Sequence, residues 1–150
     1  MALGDLDRFR ARHIDDSLRL VPLIDDLPAG PCADVGSGAG LPGIPVAIAR
    51  PERTWRLIEP RRRRAAFLEE AVRELELDCE VVVATAAEAA ARGADHALAT
   101  ARALAPPPRA LEMIVPLVAG GGVAAVFVGA GDPIPPETEE WEEGIAIVRL

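Results

Sequence analysis

The sequence predicts an α/β domain in which a mostly parallel β-sheet carries helices on both faces. Short apolar segments rich in β-branched residues alternate with longer segments in which apolar residues recur every few positions. A glycine-rich turn follows the first apolar segment, and 150 residues is the length of one ordinary domain. Alternation of this kind is typical of parallel sheets covered by helices.

The first element is a predicted helix at residues 5–26. Its apolar side chains are spaced mostly by three to five residues, as on the buried face of a helix. Pro28 and Pro31 break this pattern. A short strand at 32–35 then leads into the glycine turn.

The next elements alternate between helix and strand. A helix is predicted at 41–50, with two prolines near its start, where proline is best tolerated. A strand at 55–59 follows, and then a helix at 61–77 and a β-branched strand at 79–83. The apolar residues that predict the buried side of the helix at 61–77 are Ala65, Phe67, Leu68, Val72 and Leu75.

The last elements of the core repeat this alternation. A short helix at 86–92 is closed by Gly93, a residue typical of helix C-termini. A strand at 94–100, a helix at 107–118 and a strand at 122–128 complete the predicted sheet.

The chain is therefore predicted to be a single domain with three parts. Residues 1–27 form the N-terminal helix, and residues 28–130 form the core. Residues 131–150 form an acidic, proline-rich loop and a terminal strand, 145–150, at the edge of the sheet.

Charge is distributed unevenly along the chain. The net charge of −8 counts against nucleic-acid binding by the whole surface. Residues 1–64 hold 11 Arg and 9 acidic residues, whereas residues 65–150 hold 5 Arg and 15 acidic residues. A local basic face in the first part can still bind phosphate.

The composition also predicts the cellular setting. No apolar run reaches the roughly 20 residues that a membrane span needs, and the N-terminus lacks the apolar segment of a secretory signal. Cys32 and Cys79 lack metal-ligand spacing and are expected to be core residues or free thiols. We expect a cytoplasmic monomer with no metal site and no membrane partner.

The glycine turn, Asp34-Val35-Gly36-Ser37-Gly38-Ala39-Gly40, predicts a nucleoside site above the carboxyl ends of the strands. Asp34 favours S-adenosylmethionine, which is cationic, over a dinucleotide, whose pyrophosphate it would repel. Residues 38–43 also fit the G-x-G-x-x-G pattern of nicotinamide enzymes, and Glu59 would bind ribose hydroxyls in either case. A turn that binds nothing is the third interpretation. The first interpretation, a site for S-adenosylmethionine, implies a class I methyltransferase fold.

The residues after strand four bear on the methyl acceptor. Methyl transfer is an in-line displacement that needs mainly positioning and oriented charge. The sequence TARALAP at 100–106 lacks the D/N-P-P-Y type of motif found in amino-group methyltransferases, and the cysteines are poorly placed for C5-pyrimidine chemistry. Guanine N7, with its exposed lone pair, remains suitable, in a loop or distorted RNA site. Other acceptors stay open.

Together these motifs resemble the bacterial small-subunit ribosomal RNA guanine-N7 methyltransferases, the RsmG family. The resemblance runs from about residue 12 to residue 128. Five motifs occur in the family's order: RHIDDSL at 12–18, DVGSGAGLPGIPVAI at 34–48, LIE at 57–59 with four arginines and FL after it, AE at 87–88, and ARALAP at 101–106.

The resemblance implies a role for each motif. Gly36 and Leu41 would line the cofactor pocket together with Gly38, and Ala87 and Glu88 would hold the adenine end. The residues implied at the substrate side are Arg102 and His13 as catalytic candidates, with Arg102 also beside the cofactor, and Arg12, Asp16, Arg62 and Arg63 as RNA-binding candidates. The implied partner is ribosomal RNA or the small ribosomal subunit.

Structural alternatives stand beside these roles. His13 could be an ordinary helix histidine, the Arg61 to Arg64 run could be a solvated helix face, and Arg102 could pair with Glu88 or Glu59. The chain also departs from the family: few residues precede RHIDDSL, the region after strand five is short, and Val128-Gly129 lacks the family's lysine. A homologue that binds cofactor or RNA without turnover is therefore the alternative to an active enzyme.

Overall fold

The computed structural model describes residues 2–150 and contains one seven-stranded sheet with the strand order β3-β2-β1-β4-β5-β7-β6. Every neighbouring pair among β1 to β5 is parallel, and β7 runs antiparallel to both of its neighbours, β5 and β6. The strands are β1 (Cys32–Val35), β2 (Trp55–Ile58), β3 (Cys79–Val82), β4 (His96–Ala101), β5 (Val118–Phe127), β6 (Glu139–Glu142) and β7 (Ile145–Arg149).

Helices cover both faces of this sheet, as predicted. Side chains of α3, α4 and α5 pack on one face in a core that includes the fully buried Trp55, and those of α6 and α7 pack on the other. The helices are α1 (Leu3–Phe9), α2 (Asp16–Leu18), α3 (Val21–Asp25), α4 (Gly43–Ala49), α5 (Arg62–Glu74), α6 (Ala86–Ala90) and α7 (Pro107–Ile114).

The N-terminal helix differs from its prediction. Helix α1 continues through a π-helical segment, Arg10–Asp15, into α2, and the chain then breaks before α3. Pro22 explains the break, because proline lacks an N–H and its ring clashes with the carbonyl four residues earlier. Helix α1 buries none of its residues, whereas α3 buries Leu23 and Ile24.

The C-terminal region corrects the predicted edge strand. Strand β7 pairs with β5 on one side and with β6 on the other, so the edge strand is β6. Strand β5 also begins earlier than predicted, because α7 ends at Ile114 and a short 3-10 turn, Val115–Leu117, follows. Pro116 in that turn cannot continue an α-helix.

The topology defines where a ligand can bind. Strand β1 lies between β2 and β4, and the chain leaves β1 towards α4 on one face but leaves β4 towards α7 on the other. This divergence opens a crevice above the carboxyl ends of the two strands.

Within residues 2–150, every helix is too short or too polar to cross a membrane.

Candidate functional site

The glycine turn forms the floor of the crevice. The amides of Gly36 and Ser37 donate to the Ile58 carbonyl at 2.8 and 3.0 Å, which ties the turn to β2. Gly36 has a φ of 71°, and a Cβ there would lie 2.6 Å from Cδ1 of Leu104, in the loop after β4. The turn therefore needs glycine at this position both for its backbone conformation and for the close approach of the β4 loop.

Asp34 lies beneath the turn and is fully buried. Its Oδ2 accepts hydrogen bonds from Ser37 Oγ at 2.8 Å and from the Gly43 amide at 3.0 Å, while its Oδ1 has no partner. Burial raises the pKa of Asp34 to about 6, although the two hydrogen bonds oppose the rise. Asp34 thus supports the turn from below, and its direct contact with a cofactor stays a prediction.

Glu59 lies at the carboxyl end of β2 and is almost fully buried. Its Oε2 accepts a hydrogen bond from the Arg61 amide at 3.1 Å, and its Oε1 lies 3.9 Å from Nη1 of Arg64. The same Nη1 is 3.7 Å from the position that a Cβ of Gly38 would occupy. The structure therefore brings Gly38, Glu59 and Arg64 together along the rim of the crevice.

The loop after β3 adds the next part of this rim. Thr85 caps α6 by accepting a hydrogen bond from the Glu88 amide at 3.2 Å, and Ala87 and Glu88 are exposed in the first turn of that helix. The predicted cofactor residues of three neighbouring strands thus follow the same edge of the sheet. Leu41, between the turn and α4, is half-buried.

Arg102 follows β4 and contacts the N-terminal stretch, the helical residues 3–25 that precede β1. Its Nη2 donates to the Arg12 carbonyl at 3.1 Å and lies 3.3 Å from His13 Nδ1 and 3.5 Å from Asp16 Oδ2. Its guanidinium carbon is 5.7 Å from the centre of the Phe127 ring. Its Nη1 is buried without a partner. The residues of the RHIDDSL motif are therefore packed beside Arg102.

This arrangement corrects the structural alternative for Arg102. Its acidic partner is Asp16, not Glu88 or Glu59. Glu59 is instead near Arg64, and Glu88 is exposed on α6. The reason is topological, because the N-terminal stretch lies beside β4 whereas Glu59 and Glu88 follow β2 and β3.

The structure adds residues that the sequence interpretation did not single out. Arg19 binds Asp16 and the turn between β6 and β7. A cleft of about 1310 Å³ extends from Arg102 and Phe127 towards that turn. The helical spacing of Asp16 and Arg19 could have indicated their ion pair, but no sequence signal placed β6 beside them.

The three arginines predicted to bind RNA have exposed side chains. The side chains of Arg62 and Arg63 are exposed at the start of α5, and within residues 2–150 neither forms an ion pair. The Arg12 side chain is also exposed, and only its carbonyl contacts Arg102. These three residues are therefore available to an external anion.

Neither cysteine is suited to nucleophilic chemistry. Burial raises the pKa of Cys32 to about 11, and burial together with the nearby Asp78 carboxylate raises that of Cys79 to about 11 as well. A thiol with a raised pKa is a poor nucleophile near neutral pH. Covalent catalysis by cysteine is thus not supported by this site.

Comparison with solved structures shows the fold. The Escherichia coli protein yhhF superimposes with a TM-score of 0.67 at 19% identity, over 89% of this chain and 82% of that one. A SAM-dependent O-methyltransferase from Thermotoga maritima gives a TM-score of 0.60 at 19% identity, over 75% of this chain and 43% of that one. The predicted class I methyltransferase fold is confirmed.

Sequence comparison shows the family. The ribosomal RNA small subunit methyltransferase G of Acidiphilium cryptum (strain JF-5) is 47% identical over 122 residues, which cover 80% of this chain and 54% of the relative. The chain spans 54% to 66% of the length of this relative and of three others that bear the same name. The sequence model of the GidB family, rRNA small subunit methyltransferase G, matches residues 1–142. This chain therefore belongs to the GidB family.

Proposed function

We propose that this chain is an S-adenosylmethionine-dependent methyltransferase that modifies guanine N7 in small-subunit ribosomal RNA. The observation that carries the proposal is the contact of the glycine turn after β1 with Leu104 in the loop after β4, two residues beyond Arg102. Membership of the GidB family supports both the reaction and the substrate.

The residues along the rim fit S-adenosylmethionine. At Gly38 a Cβ would lie 3.7 Å from its nearest neighbours, so the backbone there is open to a ligand, whereas Leu104 fills the space beside Gly36. In our proposal the Glu59 carboxylate accepts hydrogen bonds from the ribose hydroxyls, and Ala87 and Glu88 contact the adenine. Leu41 contributes an apolar wall.

The reaction requires the chain to position the two reactants and does not require it to transfer a proton. Bound S-adenosylmethionine supplies an electrophilic methyl group, and guanine N7 already carries a free lone pair. Arg102 cannot bind N7 during transfer, so its guanidinium, whose Nη1 has no hydrogen-bond partner, is assigned to guanine O6, to a phosphate or to the cofactor carboxylate. His13, beside Arg102, helps to orient the guanidinium and is not needed as a base.

RNA binding is assigned to arginines on two sides of the crevice. Arg12 lies on the N-terminal stretch, and Arg62 and Arg63 lie at the start of α5. Guanidinium groups bind phosphates through paired hydrogen bonds. Asp16 is engaged with Arg19 and Arg102, so its proposed contribution to the substrate site is to hold Arg102.

Transfer of a labelled methyl group tests the proposal. The purified chain is incubated with tritiated S-adenosylmethionine and small ribosomal subunits, or their free RNA, from a strain that lacks the modification. We expect label in RNA, and strand scission after borohydride and aniline at one guanine. Cofactor binding without transfer to any ribosomal substrate would overturn the proposal in favour of a homologue without turnover. The monomeric and cytoplasmic states expected from the sequence stay predictions.

A further inference from the structure

Arg19 connects two distant parts of the chain at the edge of the cleft. Its Nη1 donates to Asp16 Oδ1 at 2.7 Å, and its Nε donates to Glu142 Oε2 at 2.9 Å. Its Nη2 donates to the carbonyl of Glu143. All three nitrogens of the guanidinium are therefore engaged, and they link the N-terminal stretch to the turn that joins β6 and β7.

Asp16 is shared between Arg19 and Arg102. Its Oδ1 accepts from Arg19, and its Oδ2 lies 3.5 Å from Nη2 of Arg102. The side chains of Arg19, Asp16 and Arg102 are only 29%, 26% and 21% exposed. Solvent therefore screens these charges less than it would at an open surface. The orientation of the Asp16 carboxylate thus depends on both guanidinium groups.

We propose that Arg19 is a positioning residue for methyl transfer, which acts by holding Asp16 and thereby the guanidinium of Arg102. This inference rests on the function proposed above. Without Arg19, Asp16 keeps one cationic partner and can rotate about χ1 and χ2. Arg102 then loses a fixed ion-pair partner, and its guanidinium is held only by the Arg12 carbonyl, His13 and the Phe127 ring. Misplacement of a reacting group by about 1 Å lowers transfer rates by on the order of a hundredfold.

Arg19 is not needed to hold the N-terminal stretch in place. The side chains of Leu20, Leu23 and Ile24, which belong to this stretch, are buried in the core and anchor it. Arg53 also donates hydrogen bonds to four backbone carbonyls between residues 24 and 30. Removal of Arg19 is therefore expected to change the local geometry while the fold remains.

Two Arg19 variants and one matched control test the inference. Arg19→Met removes the charge but keeps the length, and Arg19→Lys keeps the charge but loses the planar fork. The control is Arg109→Met on α7, where an exposed arginine has an ion pair with Glu112. We expect both Arg19 variants to lower kcat by about ten- to a hundredfold. The KM for RNA and the Kd for S-adenosylmethionine should change much less than kcat does, and Arg109→Met should match wild type throughout.

Non-additivity distinguishes positioning from a separate effect. If Arg19 acts through Arg102, the double variant Arg19→Met/Arg102→Lys should be no slower than Arg102→Lys alone. Losses that multiply would overturn the inference, as would transfer by Arg19→Met at the wild-type rate.

A spectroscopic measurement decides the inference even if the chain transfers no methyl group. Nitrogen-15 NMR at low temperature resolves the Nη signals of an arginine whose guanidinium does not rotate freely. We expect resolved Arg102 signals in wild type and Arg109→Met, and merged signals in Arg19→Met. Resolved Arg102 signals in Arg19→Met would overturn the inference, whereas absence of transfer by the wild type would overturn only the proposed function.

Discussion

Gly36 has a φ of 71°, and its missing side chain leaves room for Leu104, whose Cδ1 would lie 2.6 Å from a Cβ. Gly36→Ala therefore adds both backbone strain and a steric contact. We expect a loss of on the order of 2–4 kcal/mol in the free energy of unfolding, the sum of a left-handed alanine and local overpacking. Affinity for S-adenosylmethionine should fall by about tenfold, because alanine at this positive φ strains the turn and Leu104 must move away from the new Cβ. Chemical denaturation and calorimetry measure the two effects.

Gly121→Ala is the matched control for this variant. Gly121 has a φ of 85°, and a Cβ there would meet no atom within 4 Å. The Gly121→Ala variant therefore measures the effect of backbone strain alone. Equal losses of stability in the two variants, with unchanged cofactor affinity in both, would show that Leu104 and the turn do not constrain each other.

Asp34 makes the stability of the fold depend on pH. Burial raises its pKa from 3.8 to about 6, so the folded state binds the proton more tightly than the unfolded chain. Stability from this group is fully present below about pH 4 and is lost as the pH rises to about 6. The change is on the order of 3 kcal/mol at 1.36 kcal/mol per pKa unit.

Asp34→Asn is expected to remove this pH dependence. We predict that the unfolding free energy of wild type, measured relative to that of the variant, falls by about 2–3 kcal/mol between about pH 4 and pH 6. The comparison cancels other titrating groups, including His96, whose pKa is lowered by its own burial. A difference that stays constant over this range would mean that the fold does not raise the pKa of Asp34.

Arg53 provides the clearest prediction at the scale of one element. It follows α4, and its guanidinium donates to the carbonyls of Ile24, Leu27, Pro28 and Gly30 at the end of α3 and in the loop after it. Arg53→Met should lower the free energy of unfolding by on the order of 2–4 kcal/mol, because several partly buried carbonyls lose a charged donor. Cofactor affinity should change little, since Arg53 lies at the opposite end of the sheet.

Arg73→Met provides the control for this effect. Arg73 is exposed on α5, and its ion pair with Glu70 spans 4.0 Å, so the same substitution should change stability by less than about 0.5 kcal/mol. If thermal unfolding shows equal losses for the two variants, the four carbonyl contacts of Arg53 contribute nothing measurable.

The elements also show how far sequence reasoning could go. The five parallel strands and α5 carry strong local patterns, and the structure places them within a few residues of their predicted bounds. Strand β6 carries none, because Glu139–Glu142 has Trp141 as its only apolar residue and exists through pairing with β7. The prediction of one helix at residues 5–26 relied on the apolar spacing and did not take Pro22 into account. In the structure the helix ends before α3.

The residues of the candidate site also divide into those with a local sequence signal and those that depend on tertiary packing. The glycine turn and Glu59 could be placed from sequence because each lies directly after a predictable strand. The contact between Arg102 and Asp16 could not, because it joins residues 86 positions apart through the packing of the N-terminal stretch beside β4. Arg19 was missed for a related reason, since two of its partners lie on β6 and the turn after it.

At the scale of the whole molecule, the charge is distributed unevenly along the chain. Exposed arginines lie on the N-terminal stretch and at the start of α5, whereas residues 131–143 carry only acidic charges, three of which line the cleft beside Arg102. A net charge of −8 would repel RNA from most directions. RNA is therefore expected to bind through Arg12, Arg62 and Arg63. The chain should contact only a few of its phosphates.

The salt dependence of RNA binding tests this orientation. In the double variant Arg62→Ala/Arg63→Ala, the slope of log K against log salt should become shallower by about 1.4, because each lost phosphate contact on a single strand removes about 0.7. Affinity for S-adenosylmethionine should stay unchanged, since neither side chain contacts the glycine turn. The control Arg73→Ala/Arg109→Ala removes the same charge from exposed positions away from the crevice. Filter binding of a small-subunit RNA fragment over a range of KCl concentrations measures both slopes. Equal changes in the two double variants would mean that RNA responds to total charge, and the assignment of Arg62 and Arg63 to phosphate contacts would then be wrong.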